Sequence, residues 1–297
     1  MTRHKLLHRL PVAGGQYTVA EWTGSGPCLL ALHGITASHM AWPSVIKHLP
    51  EDLRVLAPDL RGRGANSELP APYGFDTHAD DFRATLDHFG VSRAVLVGHS
   101  LGAYLALAFA HRHPDRVRGI VLVDGGIARP RPPGLSPEQT IKAVLGPALA
   151  RLEMRFEDAE AYRRFWQAHP AFQDDGAWNP DVQDYIDYDL IGEPPTMRSR
   201  VRAEPVMADA YALMEPSMVT LIDEITAPML LLTAPRGLLN QPEPLMPVTA
   251  VADKVARLPQ LAHAEITDTN HYTIVTGSGQ QRTAAAITQF VATRCAA

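Results

Sequence analysis

The stretch Ala94-Val95-Leu96-Val97-Gly98-His99-Ser100-Leu101-Gly102-Ala103-Tyr104-Leu105-Ala106-Leu107 sets a serine where an apolar, β-branched run gives way to an Ala/Leu-rich one. The first run has the composition of a buried strand, and the second, continued to Arg112, that of a helix. Glycines stand two residues before and two after Ser100, where a sharp strand-to-helix turn brings the two backbones together and leaves no room for a Cβ. Such a turn lifts the serine hydroxyl above the end of a sheet. The five-residue pattern arises by chance in unrelated chains, so the flanking strand and helix carry the discrimination.

Working outward, similar apolar runs recur at Gln16 to Trp22, Cys28 to Leu32, Arg54 to Pro58, Gly119 to Val123, Met229 to Thr233 and Ala264 to Thr267. Apolar spacing of 3.6 residues predicts helices over His39 to His48, Thr77 to Phe89, Leu101 to Arg112, Val248 to Arg257 and Gln280 to Thr293. This alternation argues for a mostly parallel sheet with helices on both faces. The rhythm breaks between Ala128 and about Pro216, where helical patterns occur without a convincing strand. The break opens on Arg129-Pro130-Arg131-Pro132-Pro133-Gly134, whose prolines favour extended backbone and a stiff hinge. The division expected is a core of residues 1–127 and 217–297 with a helical lid inserted at 128–216.

The 297 residues, 46% of them hydrophobic, suffice for a large core, and the net charge of −5 is spread over interspersed acids and bases. Without a basic stripe, nucleic-acid binding is excluded as the expected function. No segment approaches the roughly 18 apolar residues of a membrane span, and the basic start Met1 to Leu10 lacks a signal-like apolar run. A cytoplasmic protein with no membrane association is expected, and a homodimer is compatible with this composition. Cys28 and Cys295, one opening a strand and one near the end, do not indicate a disulfide framework.

Ser100 needs a base to take its proton, and among thirteen histidines His271 fits best. It follows the last strand-like run and precedes the last helix, which puts it at the sheet edge where Ser100 emerges. His263, at the amino end of that run, should face the opposite edge. His111 and His113, two apart, cannot chelate one metal from one helix face, and neither a metal nor an organic cofactor is expected. The oxyanion formed on acyl attack needs two N–H donors. Leu101, opening the helix, and Ile35, in the turn His33-Gly34-Ile35-Thr36 after a strand, offer them.

His33-Gly34, Asp59-Leu60-Arg61-Gly62-Arg63-Gly64, the serine turn and Asn270-His271, in this order, resemble the α/β-hydrolase fold superfamily. The resemblance implies an eight-stranded sheet, a lid after the sixth strand and a Ser-acid-His triad in that chain order. It also implies that Asp59 to Gly64 shape a loop and perform no chemistry. The chain departs from the commonest pattern at one point. The acid usually follows the seventh strand, and Pro228-Met229-Leu230-Leu231-Leu232-Thr233-Ala234-Pro235-Arg236-Gly237 puts a glycine in that slot.

Asp124, Asp223, Glu224 and Glu243 remain as candidates for the acid. Asp223 and Glu224 precede the seventh strand and should lie at its wrong end, whereas Glu243 lies six residues past the usual slot. Asp124 ends the sixth strand beside the serine strand, and some haloalkane dehalogenases and lactonases of the superfamily resemble Val117 to Asp124 and keep their acid there. Asp124 is therefore the expected acid.

The inserted segment is rich in Met and aromatic residues, among them Met154, Phe165, Trp166, Trp178, Tyr185, Tyr188 and Met197, which suits an apolar ligand. Substrate contacts are expected from His33, Met154, Trp178 and Tyr188. Arg198, Arg200 and Arg202 read as a solvated face, and no arginine pair is dedicated to a carboxylate or phosphate. The function expected is a serine hydrolase acting on a small hydrophobic carboxylic ester or lactone through an acyl-enzyme. Two alternatives are a carbon–carbon bond hydrolase with the same triad and a ligand receptor that turns over slowly. Haloalkane dehalogenase and epoxide hydrolase chemistry are disfavoured, since those members carry Asp where Ser100 stands.

Overall fold

The computed structural model describes residues 4–128 and 132–295; Arg129, Pro130 and Arg131 of the expected hinge lie outside the described residues. Its strands are β1 Lys5–Val12, β2 Gly15–Trp22, β3 Cys28–Leu32, β4 Arg54–Pro58, β5 Ala94–His99, β6 Val117–Val123, β7 Leu190–Ile191, β8 Arg198–Ser199, β9 Met229–Thr233 and β10 Leu261–Glu265. Eight of them form one sheet in the order β1-β2-β4-β3-β5-β6-β9-β10. The β1/β2 and β2/β4 pairings are antiparallel and all the others in this sheet are parallel.

The central strands are buried on both faces, as a sheet covered by helices requires. Alternation within them divides the core in two. Leu30, Leu32 and Leu96 join the cluster on one face, and Leu29, Ala31, Val95 and Val97 join that on the other. The helix Leu101–Arg112 packs on the first face; Gln280–Arg294 supplies Ala284, Ile287, Phe290 and Val291 to the second.

Several elements differ from expectation. Strand β1 lies on an edge and is largely exposed, and Lys5, His8 and Arg9 interrupt its leucines, so it lacks the continuous apolar run of a central strand. The helix expected over His39 to His48 is a 3₁₀ turn, His39–Ala41, followed by a single α turn, Pro43–Ile46. Pro43 has no N–H to continue a helix begun before it. The last strand ends at Glu265, so His263 is in mid-strand, its Nε2 2.9 Å from the Thr233 hydroxyl oxygen, and does not lie at the strand's amino end.

Between β6 and β9 runs a helical insertion with helices Pro137–Glu153, Ala159–Gln167, Pro180–Asp189 and Ala203–Ala212. It also holds the β7/β8 pair, two residues per strand and too short to show a period. Phe156, Tyr162, Trp166, Phe172, Val182 and Ile186 form a separate apolar cluster inside it. Buried polar contacts tie it to the core: Arg63 Nη2 lies 2.7 Å from Asp209 Oδ2, and the Tyr188 hydroxyl donates to Asp59 Oδ2 at 2.7 Å. No helix among the described residues is long and apolar enough to cross a membrane.

Candidate active site

Ser100 sits between β5 and the helix that follows, with φ 54° and ψ −119°. This is a conformation L-residues rarely adopt, and such strain concentrates at functional sites. Close packing enforces it. A Cβ on Gly98 would lie 2.2 Å from the Gly102 carbonyl oxygen, and one on Gly102 would lie 2.1 Å from the Leu32 carbonyl oxygen. The Ser100 N–H is spent on the Val123 carbonyl at 3.0 Å, pinning the turn to the end of β6.

That same end of β6 delivers Asp124, fully buried and itself left-handed at φ 47°. Its Oδ2 accepts from His271 Nδ1 at 2.7 Å, and its Oδ1 accepts the Ala234 N–H at 3.1 Å. With Nδ1–H committed to a carboxylate, His271 keeps a free lone pair on Nε2, the atom a general base uses. Ser100 and His271 line one cavity of about 680 Å³ between the sheet edge and the insertion. Glu243 also lines it but is solvent-exposed, whereas Asp223 pairs with Lys254 and Arg257, and Glu224 with His111, away from it.

The loop after β3 approaches the serine closely. A Cβ on Gly34 would stand 3.4 Å from Ser100 Cβ and 3.8 Å from its Oγ. Ile35 and Leu101 both line the cavity, and neither backbone N–H has a protein acceptor among the described residues. Behind this loop His33 is fully buried, its Nε2 accepting the Leu60 N–H at 2.9 Å, with Nδ1 2.8 Å from the Gly34 carbonyl oxygen. Burial lowers its pKa to about 4 and keeps it neutral. His33 thus braces the turn, and it does not line the cavity.

The other expected substrate contacts also fall elsewhere. Met154 is at the exposed end of the first insertion helix, Trp178 packs edge-on to Phe172, and Tyr188 is engaged with Asp59 and stacked under Arg200. Trp178 and Tyr188 thus pack the insertion internally or onto the core, whereas Met154, just past its helix, faces solvent. Arg200 is accordingly stacked on a ring and does not belong to a solvated face.

His99 and Arg151 are among the polar cavity residues that the sequence does not single out. His99, inside the serine turn, is buried, and its Nε2 donates to the His271 carbonyl at 2.9 Å while the two rings lie 4.7 Å apart. Burial, then the neighbouring His271, hold its pKa well below the ordinary value, so it stays a neutral strut. Arg151, in the insertion helix Pro137–Glu153, is buried in the cavity wall. Its setting in Ala150-Arg151-Leu152-Glu153 reads as a solvated helix position, so only the fold reveals it.

A family model described as alpha/beta hydrolase fold matches residues 27–161. Among curated proteins, lipase LipV of Mycobacterium tuberculosis is 38% identical over 111 residues, 37% of this chain and 42% of that one. The 2-hydroxymuconate semialdehyde hydrolase of a Pseudomonas species is 38% identical over 130 residues, 42% of this chain and 46% of that one. The chain therefore matches less than half the length of either relative. Among solved structures, E-2-(acetamidomethylene)succinate hydrolase superposes with a TM-score of 0.80 at 23% identity, over 97% of this chain and 100% of that one. At that identity the likeness is one of fold.

Proposed function

The chain belongs to the alpha/beta-hydrolase fold superfamily, and from that premise we propose that it is a serine hydrolase cleaving a carboxylic ester or lactone. The observation that carries this reading is the buried 2.7 Å contact between His271 Nδ1 and Asp124, formed at the sheet edge where the strained turn holds Ser100. Ser100 Oγ attacks the acyl carbon as His271 Nε2 takes its proton, and Asp124 stabilises the imidazolium that results. The Ile35 and Leu101 N–H groups receive the oxyanion, a contribution of roughly 3 kcal/mol for each well-placed donor. The protonated His271 then releases the alcohol, and water activated by the same ring frees the acid from Ser100.

The described residues of segment 128–216 serve as the lid over this cavity, whose wall includes Tyr104, Ile127, Ile141, Leu245 and Met246. The substrate is a small molecule with an apolar portion. One relative is named a lipase and another a 2-hydroxymuconate semialdehyde hydrolase; the second name supports carbon–carbon bond hydrolysis as the second reading. Aryl esters and lactones of graded size, run beside a vinylogous β-diketone acid, separate the two. Ester turnover with a burst of released phenol, lost in Ser100→Ala, supports the first reading; turnover of the diketone acid alone rejects it.

A further inference from the structure

The insertion-side end of the cavity is lined by hydrogen-bond donors that have no acceptor among the described residues. Among the described residues Arg151 Nη1 makes all of that side chain's hydrogen bonds, to Asp189 Oδ2 at 2.6 Å, to the Tyr162 hydroxyl at 2.7 Å and to Ser199 Oγ at 3.1 Å. Nε–H and both protons of Nη2 are left over, since a guanidinium carries five N–H groups. The face of the guanidinium is covered by Trp166, 5.0 Å from the ring centre, so an incoming group meets its edge. The Trp166 indole N–H is buried without a hydrogen bond of ordinary length, the Tyr162 hydroxyl being a polar group near it.

His169 accepts the Ala171 N–H on Nδ1 at 3.2 Å, so its neutral ring carries the proton on Nε2. Burial, then the charge of Arg151, lower its pKa and favour that neutral form. The hydroxyls of Tyr185 and Tyr272, on the same wall, have no protein partner among the described residues. Arg151 is the one arginine or lysine among the described residues lining the cavity. A buried cation ringed by unpaired N–H and O–H donors is complementary to an anion.

We propose that Arg151, Trp166, His169 and Tyr185 form a carboxylate subsite, so that the substrate is an ester carrying a free carboxylate beyond an apolar spacer from the scissile bond. Asp189 already offsets part of the Arg151 charge, which favours a monoanion over a phosphate dianion. The subsite rests on the serine-hydrolase reading for its consequence in turnover, but its existence is a matter of binding.

Two 4-nitrophenyl esters of equal size test it, one of adipic acid with its second carboxylate free and one of adipic acid monoamide. The wild-type chain is expected to prefer the free acid by at least tenfold in kcat/KM, chiefly through KM, with Arg151→Gln bringing the ratio toward one. A wild-type ratio near one overturns the subsite whether or not the variant folds. Turnover that survives in Ser100→Ala refutes the serine-hydrolase reading instead. In that case, or if neither ester turns over, calorimetry of Ser100→Ala with monomethyl adipate against its amide decides. Tighter binding of the acid, weakened in Ser100→Ala/Arg151→Lys, supports the subsite; equal affinities, or tighter binding of a phosphonate analogue, overturn it.

Discussion

Replacing Asp124 with asparagine changes one atom type in a buried site whose hydrogen bonds dictate the result. The carboxylate serves two donors, His271 Nδ1–H through Oδ2 and the Ala234 N–H through Oδ1. An asparagine has one acceptor oxygen, and the Ala234 N–H, fixed at the end of β9, needs it. The amide NH₂ is then turned toward His271 Nδ1, which becomes an acceptor, and the ring proton moves to Nε2. A proton on Nε2 removes the lone pair that should deprotonate Ser100. Because the side chain is isosteric and both contacts survive with roles exchanged, the fold should hold.

Loss of the base with geometry intact is worth about 10⁴ in kcat, or about 5 kcal/mol of transition-state stabilisation. Steady-state turnover of an aryl ester at neutral pH, beside thermal melts of both proteins, measures it. An Asp124→Asn protein within tenfold of wild type refutes this account. So does a Glu243→Gln protein that loses as much, because Glu243 is the exposed carboxylate on the same cavity.

Two further outcomes follow from close packing and burial. In Gly102→Ala the new Cβ, 2.1 Å from the Leu32 carbonyl oxygen, must move by over 1 Å to reach ordinary contact, spreading the loop bearing Ile35 from the helix bearing Leu101. A loss of roughly 1–3 kcal/mol in stability and about 10² in kcat is expected, and an unchanged melt and rate would contradict the tight turn. As to pH, burial puts the folded pKa of His33 at about 4 against 6.5 in the unfolded chain, which therefore binds the proton first. Stability is fully present above pH 6.5 and lost as pH falls toward 4, by about 3 kcal/mol, with buried His99 acting in the same direction. Burial pushes Asp59 upward, but the His39 ring and N–H outweigh it and hold the carboxyl below the usual range, so its own loss comes only below about pH 4. Denaturant midpoints between pH 8 and 4 that stay level would exclude the histidine effect.

The central strands and the serine turn were legible because burial on both faces writes a continuous apolar run, and because a Cβ at residue 98 or 102 would meet backbone. The spacing of His271 behind the last strand was legible for the same topological reason. Edge strand β1 was not, since half-exposed pairing leaves little apolar signal. The cavity wall was read wrongly for a different reason. An amphipathic helix announces which residues are apolar but not whether its apolar face meets the core, a sister helix or a ligand. Tyr188, on such a helix, went to packing, as did Trp178 in the bend before that helix, and Arg151, with a polar side chain in an apolar-patterned helix, went to the cavity.

The glycine in the usual acid slot and the acid proposed at Asp124 share one physical origin. After β9 the chain turns so tightly that the Gly237 N–H donates to the Gln241 carbonyl at 3.0 Å, and a Cβ at 237 would lie 2.0 Å from the Gln241 side chain and 2.7 Å from the Glu243 carbonyl oxygen. No carboxylate fits there without unfolding the loop that carries Leu238, Leu239 and Leu245 into the cavity wall. Strand β9 therefore contributes a donor, the Ala234 N–H, and β6 contributes the carboxylate that receives it. Since β6 lies between β5 and β9 in the sheet, the acid moves one strand closer to Ser100, and His271, carried in behind β10, reaches across the end of β9 to meet it.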